Sequence, residues 1–120
     1  MKYNLSEISE LIRNRRTIYP EQFTERKVHK EQIELILRNS QWAPTHGNTQ
    51  PWRFFVFTEE GKQSLSDFLG KTYLQKTAPD KQNDQKLAKL MRRPLISSVV
   101  VAVCMSRQKD EKILEIEEIE

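Results

Sequence analysis

A single cysteine in 120 residues leaves no partner for a disulfide within the chain and no thiolate set for a structural metal. Cys104 lies in the apolar run Val99-Val100-Val101-Ala102-Val103-Cys104-Met105, so it is expected to be buried and inert, packing as a small hydrophobe. No run of about 18 apolar residues exists, and no segment reads as a membrane helix. Met1-Lys2-Tyr3-Asn4 lacks the apolar core of a secretory signal, which makes a cytoplasmic location the default expectation. Repeats and low-complexity tracts are missing too. No carboxylate pair stands out, because Glu59, Glu60 and Asp67 read as a helix cap and a solvated face. Apolar residues are also scarce: 37% are hydrophobic against 31% charged, polar for a domain that must build its core alone.

A chain of this length is about one domain, residues 1–120, and a domain of that size buries roughly two-thirds of its extended surface. The shortage of apolar side chains therefore predicts burial supplied from outside the chain. The net charge of +3 is unevenly spread: residues 109–120 hold six acids and two bases, leaving +7 on residues 1–108. A basic body suits an anionic ligand, either a phosphate-bearing cofactor or nucleic acid. The acidic end argues against a chain-wide nucleic-acid footprint. No helix-turn-helix, zinc spacing or RNA-reading aromatic motif supports one.

Leu5, Ile8, Leu11 and Ile12 share one helical face, and Asn4 with Glu7 forms a capping-box pattern, predicting a helix over Ser6–Asn14. A second helix is expected over Lys30–Gln41, carrying Ile33, Ile36 and Leu37 on one stripe. Arg53–Phe57 reads as an aromatic and β-branched strand. A third helix begins near Glu59, with Leu65, Phe68, Leu69 and Tyr73 facing inward, and fades around Thr77-Ala78-Pro79. Asp80 is expected to cap a fourth helix over Lys81–Met91, its inner face Leu87, Leu90 and Met91, with Pro94 stopping it. Val99–Cys104 predicts a central strand covered on both faces. Ile113, Ile116 and Ile119 mark one face of a last helix over Asp110–Glu120, with no stop signal after it. The fold class is α+β.

The stretch with the densest chemistry is Ala43-Pro44-Thr45-His46-Gly47-Asn48-Thr49-Gln50-Pro51-Trp52. Two prolines forbid a helix or central strand through it, so it must be a shaped loop. Between the prolines lie short polar groups able to bond a heteroatom-rich ligand, and Gly47 permits close backbone approach. Trp42 and Trp52 are read as packing at the loop's base. His46 reads as a packing or hydrogen-bonding residue beside a ligand, not as a proton donor. The second cluster is Arg13, Arg15 and Arg16 with Thr17 beside them. Guanidinium groups hold phosphate by paired charge-assisted bonds, although cations also gather at helix C-termini for the macrodipole alone. Arg92 and Arg93 read as helix-terminal cations of that ordinary kind.

Arg15-Arg16-Thr17 after a first helix, followed some thirty residues later by Trp42-Ala43-Pro44-Thr45-His46-Gly47-Asn48-Thr49-Gln50-Pro51-Trp52-Arg53-Phe54, resembles the nitroreductase family of FMN-dependent flavoproteins. Thr17 is a hydroxyl-preserving departure from the family's first motif. The resemblance implies a three-layer α/β/α fold with a central, mostly antiparallel sheet, and a homodimer with FMN at its interface. It implies that Arg15, Arg16 and Thr17 of one subunit, with Pro44, Thr45, His46 and Asn48 of the other, contact the same flavin. NAD(P)H is then the electron donor and a nitroaromatic, quinone or similar small molecule the acceptor, with no residue assigned as catalytic and no metal. Family members are longer, so the chain is expected to be an N-terminal portion lacking its C-terminal part. Two other readings stay open: a catalytically inactive homologue or fragment, and a basic nucleic-acid-binding module using Arg13, Arg15, Arg16, Arg92 and Arg93.

Overall fold

The structure is a computed structural model that describes residues 3–106, with the backbone but not the side chain of His46. Within those residues the element order is α1 (Leu5–Asn14), α2 (Lys30–Ser40), β1 (Trp52–Phe57), α3 (Glu59–Lys76), α4 (Asp84–Ile96) and β2 (Val100–Met105). Short 3₁₀ turns lie at Pro20–Gln22, His46–Asn48 and Pro79–Lys81. The expected helix over Asp110–Glu120 falls outside the described residues. Among those described, no helix is long and apolar enough to cross a membrane.

The start of α1 follows the expected cap: Asn4 Oδ1 accepts from the backbone N–H of Ser6 at 3.1 Å and of Glu7 at 3.4 Å, satisfying donors that the first turn leaves free. β1 and β2 pair antiparallel, Trp52 opposite Met105 and Phe57 opposite Val100. That register puts Trp52, Phe54 and Val56 on one face with Met105, Val103 and Val101. The N–H of Ser106 donates to Pro51 O at 2.7 Å, extending the ladder one step toward the loop.

α3 and α4 form the tightest contact. Gly70 is buried, and a Cβ there would lie 2.6 Å from Met91 Sδ, so the missing side chain is what lets the two helices approach. Ser66, 1% exposed, donates its hydroxyl to Met91 O at 2.7 Å. The far end of α4 is also stitched down. Ser97 Oγ donates to Arg93 O and Lys62 Nζ to Ser97 O, both at 2.8 Å.

Five expectations about this half fail for physical reasons. Asp80 does not cap α4; it lies in the Pro79–Lys81 turn, and Asn83 caps instead, its Oδ1 accepting from Lys86 N at 2.9 Å. Pro94 does not stop α4, which runs on to Ile96 with Pro94 buried inside it. Proline removes one intrahelical bond, but here Ser66, Ser97 and Lys62 supply side-chain donors to carbonyls of the same region. β2 is not covered on both faces: its first half is half-buried, whereas Val103 is 70% exposed and Cys104 is exposed. Cys104 is therefore not the buried thiol expected from its apolar neighbours. Phe68, expected to face inward from α3, is exposed as well.

No apolar side chain among the described residues is fully buried. The accessible surface of the whole chain is 11026 Å², against about 6,800 Å² for a compact monomer of this mass. α1 shows the pattern most plainly, since Leu5, Ile8, Leu11 and Ile12, the stripe that defines it as amphipathic, are all exposed, Leu11 by 75%. Within residues 3–106 these apolar faces are left open.

Candidate functional site

The arginine segment follows directly on α1. Arg16 folds back over the end of the helix, its Nη1 donating to Arg13 O at 2.8 Å and Arg15 O at 3.0 Å. Those carbonyls belong to the helix terminus, whose partial negative charge favours a cation. Arg15 Nη1 reaches Thr17 Oγ1 at a long 3.5 Å. All three side chains are exposed. A shallow groove beside them is lined by Leu11, Ile12, Asn14 and Arg15, so apolar surface and guanidinium adjoin.

The proline-framed loop is held at both ends. At its entrance Trp42 N donates to Asn39 O and Ala43 N to Ser40 O, each at 3.2 Å, carrying the turn of α2 forward. Inside, Asn48 N donates to Thr45 O at 3.3 Å, and Gln50 N to Thr45 Oγ1 at 3.3 Å. Thr45 thus organises the loop through both its carbonyl and its hydroxyl. The backbone is left-handed at Gly47 (φ 58°), Asn48 (φ 55°) and Gln50 (φ 45°). Glycine accepts this freely and asparagine tolerates it, but for Gln50 it is strained, at about 1 to 3 kcal/mol. Arg53 Nη1, donating to Trp52 O at 2.8 Å and Gln50 O at 3.3 Å, braces that strained turn from β1. Trp52 is half-buried at the loop's base as expected. Trp42 is 86% exposed and so does not pack there, because α2 ends before it and no described element lies across its ring.

The arginine segment and the loop each close their described hydrogen bonds locally. The hydrogen bonds of Arg15 and Arg16 fall on residues 13–17, those of Thr45 on residues 45–50, and no loop residue lines the groove beside Arg15. A second, open groove of about 650 Å³ lies between α2, β1 and the start of β2, with Ile33, Leu37, Val56, Lys62 and Val99 on its walls. It contains none of Arg15, Arg16, Thr17, Pro44, Thr45, His46 or Asn48.

One arrangement was not legible in the sequence. Glu21, in the Pro20–Gln22 turn, receives Arg93 Nε at 3.0 Å on Oε1 and Arg93 Nη2 at 3.4 Å on Oε2, with Lys89 Nζ 3.9 Å away. The same guanidinium lies 5.6 Å from the centre of the Tyr19 ring. Hydrogen bonding from Arg93 holds the Glu21 carboxyl below its usual value of 4.5, with the charges of Arg93 and Lys89 adding to the effect. The interaction is therefore complete above the ordinary carboxylate range and is lost as pH falls through the lowered value. Glu21 and Arg93 stand 72 positions apart, and no local pattern announces such a pair.

Comparison with known proteins gives a consistent result. The model of the nitroreductase family matches residues 12–119. "Putative NAD(P)H nitroreductase YdjA" of Escherichia coli (strain K12) is 38% identical over 79 residues, 66% of this chain and 43% of that protein. Nitrobenzene nitroreductase of Ectopseudomonas oleovorans is 34% identical over 73 residues, 61% of this chain and 30% of that protein. A solved structure of a nitroreductase-like family protein from Bacillus cereus superposes with a TM-score of 0.71 at 22% identity, covering 93% of this chain and 55% of that one. The chain thus spans about half, or less, of the length of the proteins it matches. Its α+β arrangement is that of the nitroreductase-like fold, and the chain belongs to the nitroreductase family.

Proposed function

We propose that the chain is part of an FMN-dependent oxidoreductase that passes hydride from NAD(P)H, through the flavin, to a nitroaromatic, quinone or similar acceptor in a ping-pong cycle. The observation that carries this reading is the pair of clusters themselves. An exposed arginine segment and a pre-shaped polar loop occur in the order the family uses, and the arginine segment adjoins apolar surface that the described residues leave open.

The residues fit the group. FMN presents a phosphate dianion and a flat ring with polar edges. Arg15, Arg16 and Thr17 offer charge-assisted donors and a hydroxyl for the phosphate, ribityl and pyrimidine side. Pro44, Thr45, His46 and Asn48 offer a loop pre-shaped by its left-handed turn at Gly47 and Asn48 and by the bonds to Thr45. The chemistry supplied by bound FMN is hydride transfer at N5. The chain's part is electrostatic: Arg15 or Arg16 stabilises the negative charge that reduction leaves on the ring's pyrimidine side, without reorganising at the moment of transfer.

In this reading the two clusters meet across a homodimer, one protomer giving the arginines and its partner the loop. The exposed apolar stripe of α1, made of Leu5, Ile8, Leu11 and Ile12, supports it, because obligate interfaces are built from such apolar faces. Cytoplasmic location belongs to the same reading.

The test is a titration of FMN followed by quenching of flavin fluorescence, with NAD(P)H oxidation measured in parallel. Wild-type protein quenches FMN, and Arg16→Ala weakens binding about 10- to 100-fold, the loss expected for charge-assisted bonds. A protein that leaves FMN fluorescence unchanged contradicts the reading.

A further inference from the structure

We propose that Glu21 and Arg93, with Tyr19 against the same guanidinium, are positioning residues: together they hold the Arg15–Thr17 segment on α4 and so preset it for an anionic ligand. The inference rests on the flavin reading for the identity of that ligand, but not for the existence of the tether.

α1 makes no extensive contact with any other described element, and its whole apolar stripe is exposed. Hydrogen bonds of Arg15 and Arg16 run only within residues 13–17, so they shape the segment locally without fixing it to the body. The first firm contact downstream is the Pro20–Gln22 turn on α4. That turn is internally rigid. Pro20 fixes one φ, Gln22 N donates to Tyr19 O at 2.8 Å, Phe23 N donates to Pro20 O at 3.1 Å, and Gln22 Oε1 accepts from Tyr19 N at 3.4 Å.

On this rigid turn Glu21 engages Arg93 with both carboxylate oxygens, the geometry that fixes orientation as well as distance. Lys89 approaches the same carboxylate from one helical turn earlier. Tyr19 meets the guanidinium from another side, which adds a cation–π contact and restricts the arginine further. An isolated surface ion pair contributes little, but here two hydrogen bonds and a ring contact converge on one guanidinium, and that arginine sits on a helix packed against α3. Tyr19 is two residues from Thr17, so what fixes the turn limits how far the arginines can wander. A cation segment held in place loses less conformational entropy when its ligand arrives.

The experiment compares wild type with Glu21→Ala, Arg93→Leu and the double variant. Hydrogen exchange of a peptide spanning Thr17–Phe23 and FMN affinity by fluorescence quenching are the two readouts. Each single variant is expected to raise exchange in that peptide about fivefold while α3 peptides stay unchanged, and to weaken FMN binding at least threefold. The double variant should be no worse than the stronger single, because each single already breaks the shared contact. Exchange within twofold of wild type overturns the proposal. So do effects that multiply in the double variant, or exchange that rises equally in α3, which would mark general loosening. If wild-type protein fails to quench FMN, the flavin reading falls, while the exchange arm still decides whether the tether holds.

Discussion

Gly70 and Ser66 decide the packing of α3 on α4 at the scale of single atoms. Any side chain at residue 70 meets the Met91 thioether, 2.6 Å from where its Cβ would stand. Gly70→Val should therefore push the helices apart and lower the unfolding free energy by about 2 kcal/mol, the ordinary cost of overpacking. Urea denaturation of the variant beside wild type measures it, and an unchanged midpoint would mean that Met91 simply swings aside. At this scale the sequence was partly legible. Asn4 as a cap, Thr45 and Asn48 as a polar loop pair and Arg16 at a helix end all follow from short-range chemistry, and each is found where that chemistry puts it. The Glu21–Arg93 pair joins residues 72 apart, and the exposure of Cys104 and Trp42 depends on which surfaces lie across them. Neither kind of fact is written in neighbouring residues.

At the scale of elements, periodicity and caps located four helices and two strands, with most ends within a residue or two. Asp80 and Pro94 were read as a cap and a stop: the Pro79–Lys81 turn takes up Asp80 and leaves the cap to Asn83, while Ser66 and Lys62 of α3 donate to the carbonyls of Met91 and Ser97 near the end of α4. β2 was read as central because it is uniformly apolar, yet its second half is exposed within residues 3–106. α1 presents the same situation as a helix face. If a partner protomer covers Leu5, Ile8, Leu11 and Ile12, then Leu11→Glu places a charge in that interface. Sedimentation should show the variant shifted toward monomer at least tenfold in dissociation constant. Association equal to wild type would remove α1 from the interface.

At the scale of the whole molecule, the described residues of a chain with 37% hydrophobic residues display apolar faces instead of enclosing them, and the arginine segment and the loop line no common groove. The family and the fold were legible because both motifs are contiguous in sequence. Assembly of the site enters only as what the family resemblance implies, because contiguous motifs themselves carry no information about which protomer faces which. The central claim is that one flavin takes its arginines from one protomer and its loop from the other. Complementation tests this most directly: an Arg15→Ala/Arg16→Ala protein and a Thr45→Ala/Asn48→Ala protein, each defective in FMN binding, are unfolded together, refolded as a one-to-one mixture and titrated with FMN. Half of the resulting dimers are mixed, and in each of these one of the two symmetry-related sites carries no substitution, so the account predicts recovery of about one quarter of the wild-type FMN sites. A mixture that binds no more FMN than its two parents would contradict it.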